Sequence, residues 1–417
     1  MNKIRYVILM SIVTLLSVSA SACLKKQTCL SRSLDGRMMP YDFCREEPFV
    51  VPDSLTVVNV GYVARHGARY MTSEKKFIHI LEALRREERK RNLTDRGRDF
   101  LELLDTVLLC SDGRWGLLSD VGAMEQHRLA SEMDSILPGF FRHRDVTAVA
   151  TYVPRVIRTM QDFTYRLAVL NPDMNLTASE GPEWNTLLRF FATDSIYRSY
   201  IRNGPWRERY DRECRREVPV RPAGALFVRV PADDDTMRGY TQEMYEVLSS
   251  LSAIGMAAPA REYMTEKEYA SCWRMSDYQQ YLTRALPATD YGMAEAVRPL
   301  LQTFADNLFG TPGHSPSAVF YFGHAETILP LLCVMGFPED SDSEDNICET
   351  WRNYELAPLG ANLLVVSATT ADGHEYVAFR LNGRNVQTVP DAGQWVSKED
   401  LLLWWGIRMS VLTNGNQ

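Results

Sequence analysis

Between Ser54 and Ala64 the chain reads Ser-Leu-Thr-Val-Val-Asn-Val-Gly-Tyr-Val-Ala, a β-branched run without a single charge. A run of this kind suits a strand covered on both faces, because a strand with one wet side would alternate apolar and polar residues. It stops abruptly at Arg65-His66-Gly67-Ala68-Arg69. A strand buried on both faces needs helices on both sides of its sheet, so the fold class is α/β. Its charged tip must lie at the sheet's carboxyl edge, where open α/β sheets bind ligands.

The remaining pattern agrees. Residues 145–152 and 317–322 are further short strand candidates, the latter ending at Gly323-His324-Ala325-Glu326. Residues 362–368 and 376–381 read as antiparallel strands near the end. Thr72 or Ser73 can cap a helix starting near Glu74, and helical spacing continues with breaks to about Leu109 and again over 119–137. A further helix is expected over 327–335. Residues 165–310 are mostly helical in pattern, broken by Pro205, Pro219, Pro222, Pro231 and the loop-like Asp233-Asp234-Asp235. The expected architecture is a mixed central sheet flanked by helices, formed by 23–164 and 311–417. Residues 165–310 are expected to form an inserted, mainly helical cap.

The amino terminus reads as an export signal. Lys3 and Arg5 precede an apolar run over 6–18 that is too short to span a bilayer, and Ala20-Ser21-Ala22 offers a cleavage site. Cys23, next in line, is a possible lipid anchor, although Ala20 stands where a lipoprotein signal would carry leucine. No later stretch reaches the roughly 18 apolar residues a transmembrane helix needs. The expected location is therefore exported: periplasmic, outer-membrane-associated or extracellular. Export permits disulfides among the eight cysteines, and a few bridges with one or two buried thiols is the expectation. No Cys/His spacing suggests a metal site. The formal net charge of -7 disfavours a nucleic-acid binder. No Gly-rich phosphate loop of the G-x-x-x-x-G-K-[ST] type is present, and nothing bears on oligomeric state.

Chemistry concentrates in two short motifs. In the first, His66 lies between Arg65 and Arg69. Guanidinium forks match phosphate oxygens and stay charged. They would neutralise the oxygens that repel an attacking imidazole, and their own charge would keep that imidazole neutral. Gly67 lets backbone approach a ligand closely. The pattern R-H-G-x-R arises by chance on the order of 10⁻³ times per chain of this length. The second motif, His324-Ala325-Glu326, is weak alone. It gains weight from the strand before it: the histidine can donate to a phosphate oxygen, and the glutamate can serve as acid and then base.

Residues 65–69 resemble the R-H-G-x-R signature of the histidine phosphatase superfamily, in its histidine acid phosphatase branch. The distal triplet, within Phe322-Gly-His-Ala-Glu-Thr-Ile-Leu-Pro-Leu-Leu332, is similar to that of the multiple inositol polyphosphate phosphatases, where most of the branch has His-Asp. Arg155-Val-Ile-Arg-Thr-Met-Gln-Asp-Phe163 resembles the segment holding a third catalytic arginine. Leu118–Gly122 and Leu188-Arg189-Phe-Phe191 resemble two further family stretches. Two departures stand out. Met71 replaces a frequent proline, and Val156 and Thr159 replace the usual Cys or Val and Ser.

The resemblance implies His66 as the nucleophile that carries the phosphoryl group. It implies a clamp of Arg65, Arg69 and Arg155 completed by His324, with Glu326 as proton donor and no metal or other cofactor. Arg189 is a candidate for a second substrate phosphate, and Lys75 and Lys76 for outlying ones. The implied activity is hydrolysis of inositol polyphosphates such as phytate. The alternatives are a broad-specificity acid or sugar phosphatase, and an exported ligand-binding protein without catalysis. Phosphomutase chemistry fits an export signal poorly.

Overall fold

The computed structural model describes residues 33–257, 259–285, 293–310, 315–337 and 352–414. Residues 1–22, expected to be an export signal, and Cys23 lie outside the described residues, as do Cys29, Cys348 and His314.

Eight strands form one mixed sheet: β1 (Thr56–Arg65), β2 (Asp145–Thr151), β3 (Asn175–Gly181), β4 (Ala318–Gly323), β5 (Asn362–Thr369), β6 (Glu375–Leu381), β7 (Arg384–Val386) and β8 (Trp395–Ser397). Their order is β3-β2-β4-β1-β5-β6-β7, with β8 on the other part of β6. The four strands from β3 to β1 run parallel, and β5 to β8 continue antiparallel. The longer helices are α1 (Glu74–Arg89), α2 (Asp95–Ser111), α3 (Asp120–Ile136), α4 (Pro154–Leu170), α5 (Ser195–Asn203), α6 (Trp206–Glu217), α7 (Asp234–Ser250), α8 (Glu266–Arg284), α9 (Met293–Leu308), α10 (Ala325–Met335) and α11 (Lys398–Asn414).

Strand β4 shows why the apolar runs read as doubly buried. Val319 and Tyr321 enter a core with α9 and α10, whereas Phe320 and Phe322 enter a core with α3 and α4. All six β4 residues are buried. Period-two alternation is therefore present in direction but not in polarity.

A separate helical core lies off the sheet. It joins Phe77, Leu81 and Leu84 of α1 and Phe100 and Leu104 of α2 to Met244 and Leu248 of α7 and to Cys272 and Met275 of α8. The helical layer is thus assembled from two chain segments, one directly after β1. The span 165–310, read from sequence as helical, divides its packing. It supplies β3 to the sheet and α9 to the sheet's own core. Strand β3 escapes a pattern search because Asn-Leu-Thr-Ala-Ser-Glu-Gly carries no apolar run; an edge strand needs only backbone pairing on one side. Asp233, expected in a loop, instead caps α7 by accepting from the Thr236 amide. Among the described residues Cys44, Cys110, Cys214 and Cys272 are free thiols, with Cys272 buried; Cys23, Cys29 and Cys348 lie outside the described residues.

Candidate active site

The site is set by one register. Arg65, the last residue of β1, pairs with Gly323, the last of β4. His66 and His324 are consequently the first residues past two adjacent parallel strands, and their rings meet with centroids 5.6 Å apart. The His66 amide donates to the Gly323 carbonyl at 3.0 Å, which ties the two strand ends together.

His66 is only 3% exposed. Its Nδ1 lies 3.1 Å from the Gly67 carbonyl oxygen. A carbonyl can only accept, so Nδ1 carries the proton and Nε2 keeps its lone pair. The pKa of His66 is driven well below the ordinary range, first by burial and then by the Arg155, Arg65 and Arg69 charges. His324 is held down to about 3, again mainly by burial; Glu326 opposes the shift, and the nearby arginines reinforce it. Its Nε2 sits 3.3 Å from the Thr151 hydroxyl at the end of β2. Both imidazoles are neutral at mildly acid pH.

The loop after His66 is pinned by its neighbours. The Gly67 amide donates to the Thr159 hydroxyl at 3.1 Å, which itself donates to the Arg155 carbonyl at 2.7 Å. The Ala68 amide donates to Glu125 at 2.8 Å, whose other oxygen accepts from the Tyr41 amide. Gly122 in the first turn of α3 abuts this loop so closely that a Cβ there would stand 2.2 Å from the Ala68 carbonyl oxygen. His324 is the N-cap residue of α10, so a helix N-terminus stands directly behind the second motif. After the first motif the chain runs as a loop to Ser73, which caps α1 as expected, and the helix start packed on that loop is that of α3.

Arg65 and Arg69 are buried. Arg65 anchors through Nη1 to the carbonyls of Arg37 and Ala357, and Arg69 through Nη1 to that of Tyr70. Arg155 projects from the first turn of α4, where Pro154 starts the helix without wasting an amide donor. Arg189 lies between two short helical turns, with its guanidinium 5.4 Å from the Tyr152 ring and 5.7 Å from that of Phe191. All four sense one another or His324 electrostatically. Burial lowers the affinity of Arg65 for its proton to a pKa of about 9. The Nε atoms of Arg65, Arg69, Arg155 and Arg189 are buried without a hydrogen-bond acceptor among the described residues. Buried donors are normally satisfied, so a cluster of orphaned guanidinium donors marks an anion site.

Glu326 stands in the first turn of α10 and pairs with Arg284 at 2.6 Å. Burial alone would raise its pKa; Arg284 and then His324 override that and hold the carboxyl below the usual range. A cavity of about 460 Å³ shares Arg69 with this centre. Arg37 and Lys76 line it together with Glu243 and Glu246, and both bases pair with Glu246 at 3.5 Å. Lys75 is exposed and does not line the cavity. The structure thus gathers His66, His324, Glu326, Arg65, Arg69, Arg155 and Arg189, brings Lys76 to an adjoining wall and leaves Lys75 outside. Arg37 and Arg284 escaped the sequence reading, because no motif distinguishes them from other arginines of an irregular segment and a helix end.

No protein-family model matches the chain. The chain resembles a number of solved structures, among them the following three. The Bifidobacterium longum multiple inositol polyphosphate phosphatase, in complex with inositol hexasulfate, matches with a TM-score of 0.73 at 14% identity over 88% of this chain and 96% of that one. The phytase from D. castellii gives 0.68 at 15% identity, over 93% and 88%. The Hafnia alvei phytase in its apo form gives 0.51 at 12% identity, over 87% and 99%. Across nearly its whole described length, the chain has the fold that these inositol polyphosphate phosphatase and phytase structures share.

Proposed function

We propose that this protein is a phosphomonoesterase that hydrolyses inositol polyphosphates such as phytate through a phosphohistidine on His66. The observation that carries this reading is the neutral His66 imidazole, with Nδ1 committed to its own loop, set among buried arginine donors that lack acceptors. Nε2 attacks phosphorus as the P–O bond to the alcohol breaks, and Arg65, Arg69 and Arg155 absorb the charge on the three equatorial oxygens. Glu326 gives its proton to the leaving alkoxide. As carboxylate it then takes one from the water that attacks the phosphoenzyme, which frees His66 and inorganic phosphate.

A substrate with several phosphates fits the cations beyond those one phosphate needs: Arg37, Arg189 and Lys76. The inositol hexasulfate held by the B. longum structure of the same fold supports that choice. We read residues 1–22 as an export signal, which would place the enzyme outside the cytoplasm.

The test is a time course of phosphate release and inositol phosphate products from phytate, run with and without a chelator and beside a sugar phosphate. Phytate is expected to give the higher kcat/KM, with no loss in chelator. No phosphate release from any ester rejects the reading. A preference for the sugar phosphate replaces the substrate with that of a general acid phosphatase.

A further inference from the structure

Arg284 is the last residue of α8. Its Nη1 is held by the Gln280 side chain at 2.6 Å and by the Thr283 hydroxyl at 3.2 Å, and its Nη2 lies 2.6 Å from Glu326. Its Nε is buried and finds no acceptor among the described residues. The pair is not sealed in the core. Glu326 keeps 30% of its side chain exposed and Arg284 keeps 17%, so both can be reached from solvent. The arrangement contains a conflict. A proton donor must be protonated, yet Glu326 faces Arg284, His324, Arg65, Arg69 and Arg155, and every cation among them favours its carboxylate. Among the described residues Tyr197, from α5, is a further titratable group that senses it.

A polyanion resolves the conflict. A substrate phosphate is a stronger acceptor for a guanidinium than one carboxylate oxygen, and it can take Nη2 and the unpartnered Nε together as a fork. We propose that Arg284 is a positioning residue for Glu326 that substrate competes away. It pairs with the carboxylate in the free enzyme and with a non-scissile phosphate in the complex, so that Glu326 takes up its proton only when a polyphosphorylated substrate is bound. The proton comes from solvent through the exposed part of the side chain. It leaves on the alcohol as the P–O bond breaks and the Nε2–P bond to His66 forms. This inference rests on the phosphatase reading above.

Two measurements test it. Rates of wild type, Arg284→Gln and Arg284→Lys are compared on inositol hexakisphosphate and on phenyl phosphate from about pH 3 to about pH 8, because kcat/KM reports the free enzyme and kcat the complex. In Arg284→Gln the basic limb of kcat/KM should move up by about one pH unit, while that of kcat stays. KM for the hexakisphosphate should rise about tenfold or more, and that for phenyl phosphate less. Arg284→Lys should restore part of both effects. A uniform loss of kcat at every pH, with limb and substrate ratio unmoved, overturns the proposal. The second measurement needs no turnover. Calorimetric titration with inositol hexasulfate in two buffers of different ionisation enthalpy should show proton uptake by wild type that is reduced in Glu326→Gln. Equal uptake by both overturns the proposal. A wild type that binds the hexasulfate with the expected uptake yet releases no phosphate from any ester refutes the phosphatase reading instead.

Discussion

The His66 ring meets the His324 ring at a 77° interplanar angle, 5.6 Å between centroids, because Arg65 and Gly323 are register partners in adjacent parallel strands. Two residues 258 positions apart are thereby fixed by backbone hydrogen bonds and not by flexible side-chain reach. The chemistry inherits the rigidity of the sheet, which is where positioning is least expensive to maintain.

Replacing His66 by alanine should lower phosphate release by about 10⁴-fold or more, since the group proposed to carry the phosphoryl is removed. His66 makes one side-chain hydrogen bond, to its own loop, so the melting temperature should change little. Quenching wild type during turnover should trap an acid-labile phosphoryl group that the variant lacks. Retention of near-normal rates by His66→Ala, or a trapped label in that variant, rules out the nucleophile.

Glu326→Gln keeps the shape of the side chain but cannot deliver a proton. The loss should track the leaving group: about 10² to 10⁴-fold on an alkyl phosphate, which needs protonation, and about tenfold or less on nitrophenyl phosphate, which does not. Rates on the two esters, measured side by side, check this. Equal losses on both would assign Glu326 a purely electrostatic role.

What could be read from sequence, and what could not, follows from how local each signal is. β1 and β4 announce themselves because burial on both faces keeps charge out of the run up to its end, and the arginines at 65 and 69 stand beside the histidine they serve. The pinning of that loop is not local. Thr159 looked like a mild departure in a catalytic helix, yet its hydroxyl receives the Gly67 amide. Glu125 is an ordinary glutamate in α3 until the fold sets two backbone amides against it. The amphipathic faces of α1 and α2 tell that each has a partner but not that the partners are α7 and α8, more than a hundred residues on. Arg284 differs in no sequence feature from Arg274, ten residues earlier on the same helix, which pairs instead with Glu217.

Gly122→Ala tests whether α3 positions the catalytic loop. The new methyl would meet the Ala68 oxygen at 2.2 Å and the Ala68 nitrogen at 2.8 Å, and both are backbone, so the loop must move. Overpacking of this kind costs about 1–3 kcal/mol of stability. A displacement near 1 Å should cost activity about 100-fold. Gly406→Ala is the control: it is exposed on α11 with open space around it and should keep full activity while gaining about 0.5–1 kcal/mol. Initial rates and denaturant midpoints decide. Full activity in Gly122→Ala would mean the loop does not depend on α3.

Stability should rise as pH falls from about 8 to about 6.5, and Asp277 should carry a measurable share of the rise. Asp277 lies in α8, 3% exposed, with Oδ2 accepting from the Asn353 amide at 3.0 Å and Oδ1 without a hydrogen-bond partner among the described residues. Burial pushes its pKa to about 8, that of Glu46 to about 8 and that of Glu125 to about 7. In the unfolded chain each titrates near 4, so in this window the native state binds more protons than the unfolded one, and stability is lost as pH rises through the folded pKa values. His66 and His324, both depressed, act oppositely: their contribution is complete above the unfolded pKa of about 6.5 and drops away only below it. The interval between about 6.5 and 8 therefore isolates the carboxyls. Asp277→Asn keeps an oxygen for the Asn353 amide and removes the titration, so the slope of unfolding free energy against pH should flatten by up to about 1 kcal/mol per pH unit and the variant should gain most at the alkaline end. Urea unfolding at several pH values measures both slopes; identical slopes for wild type and variant would show that Asp277 is ionised in the native state throughout.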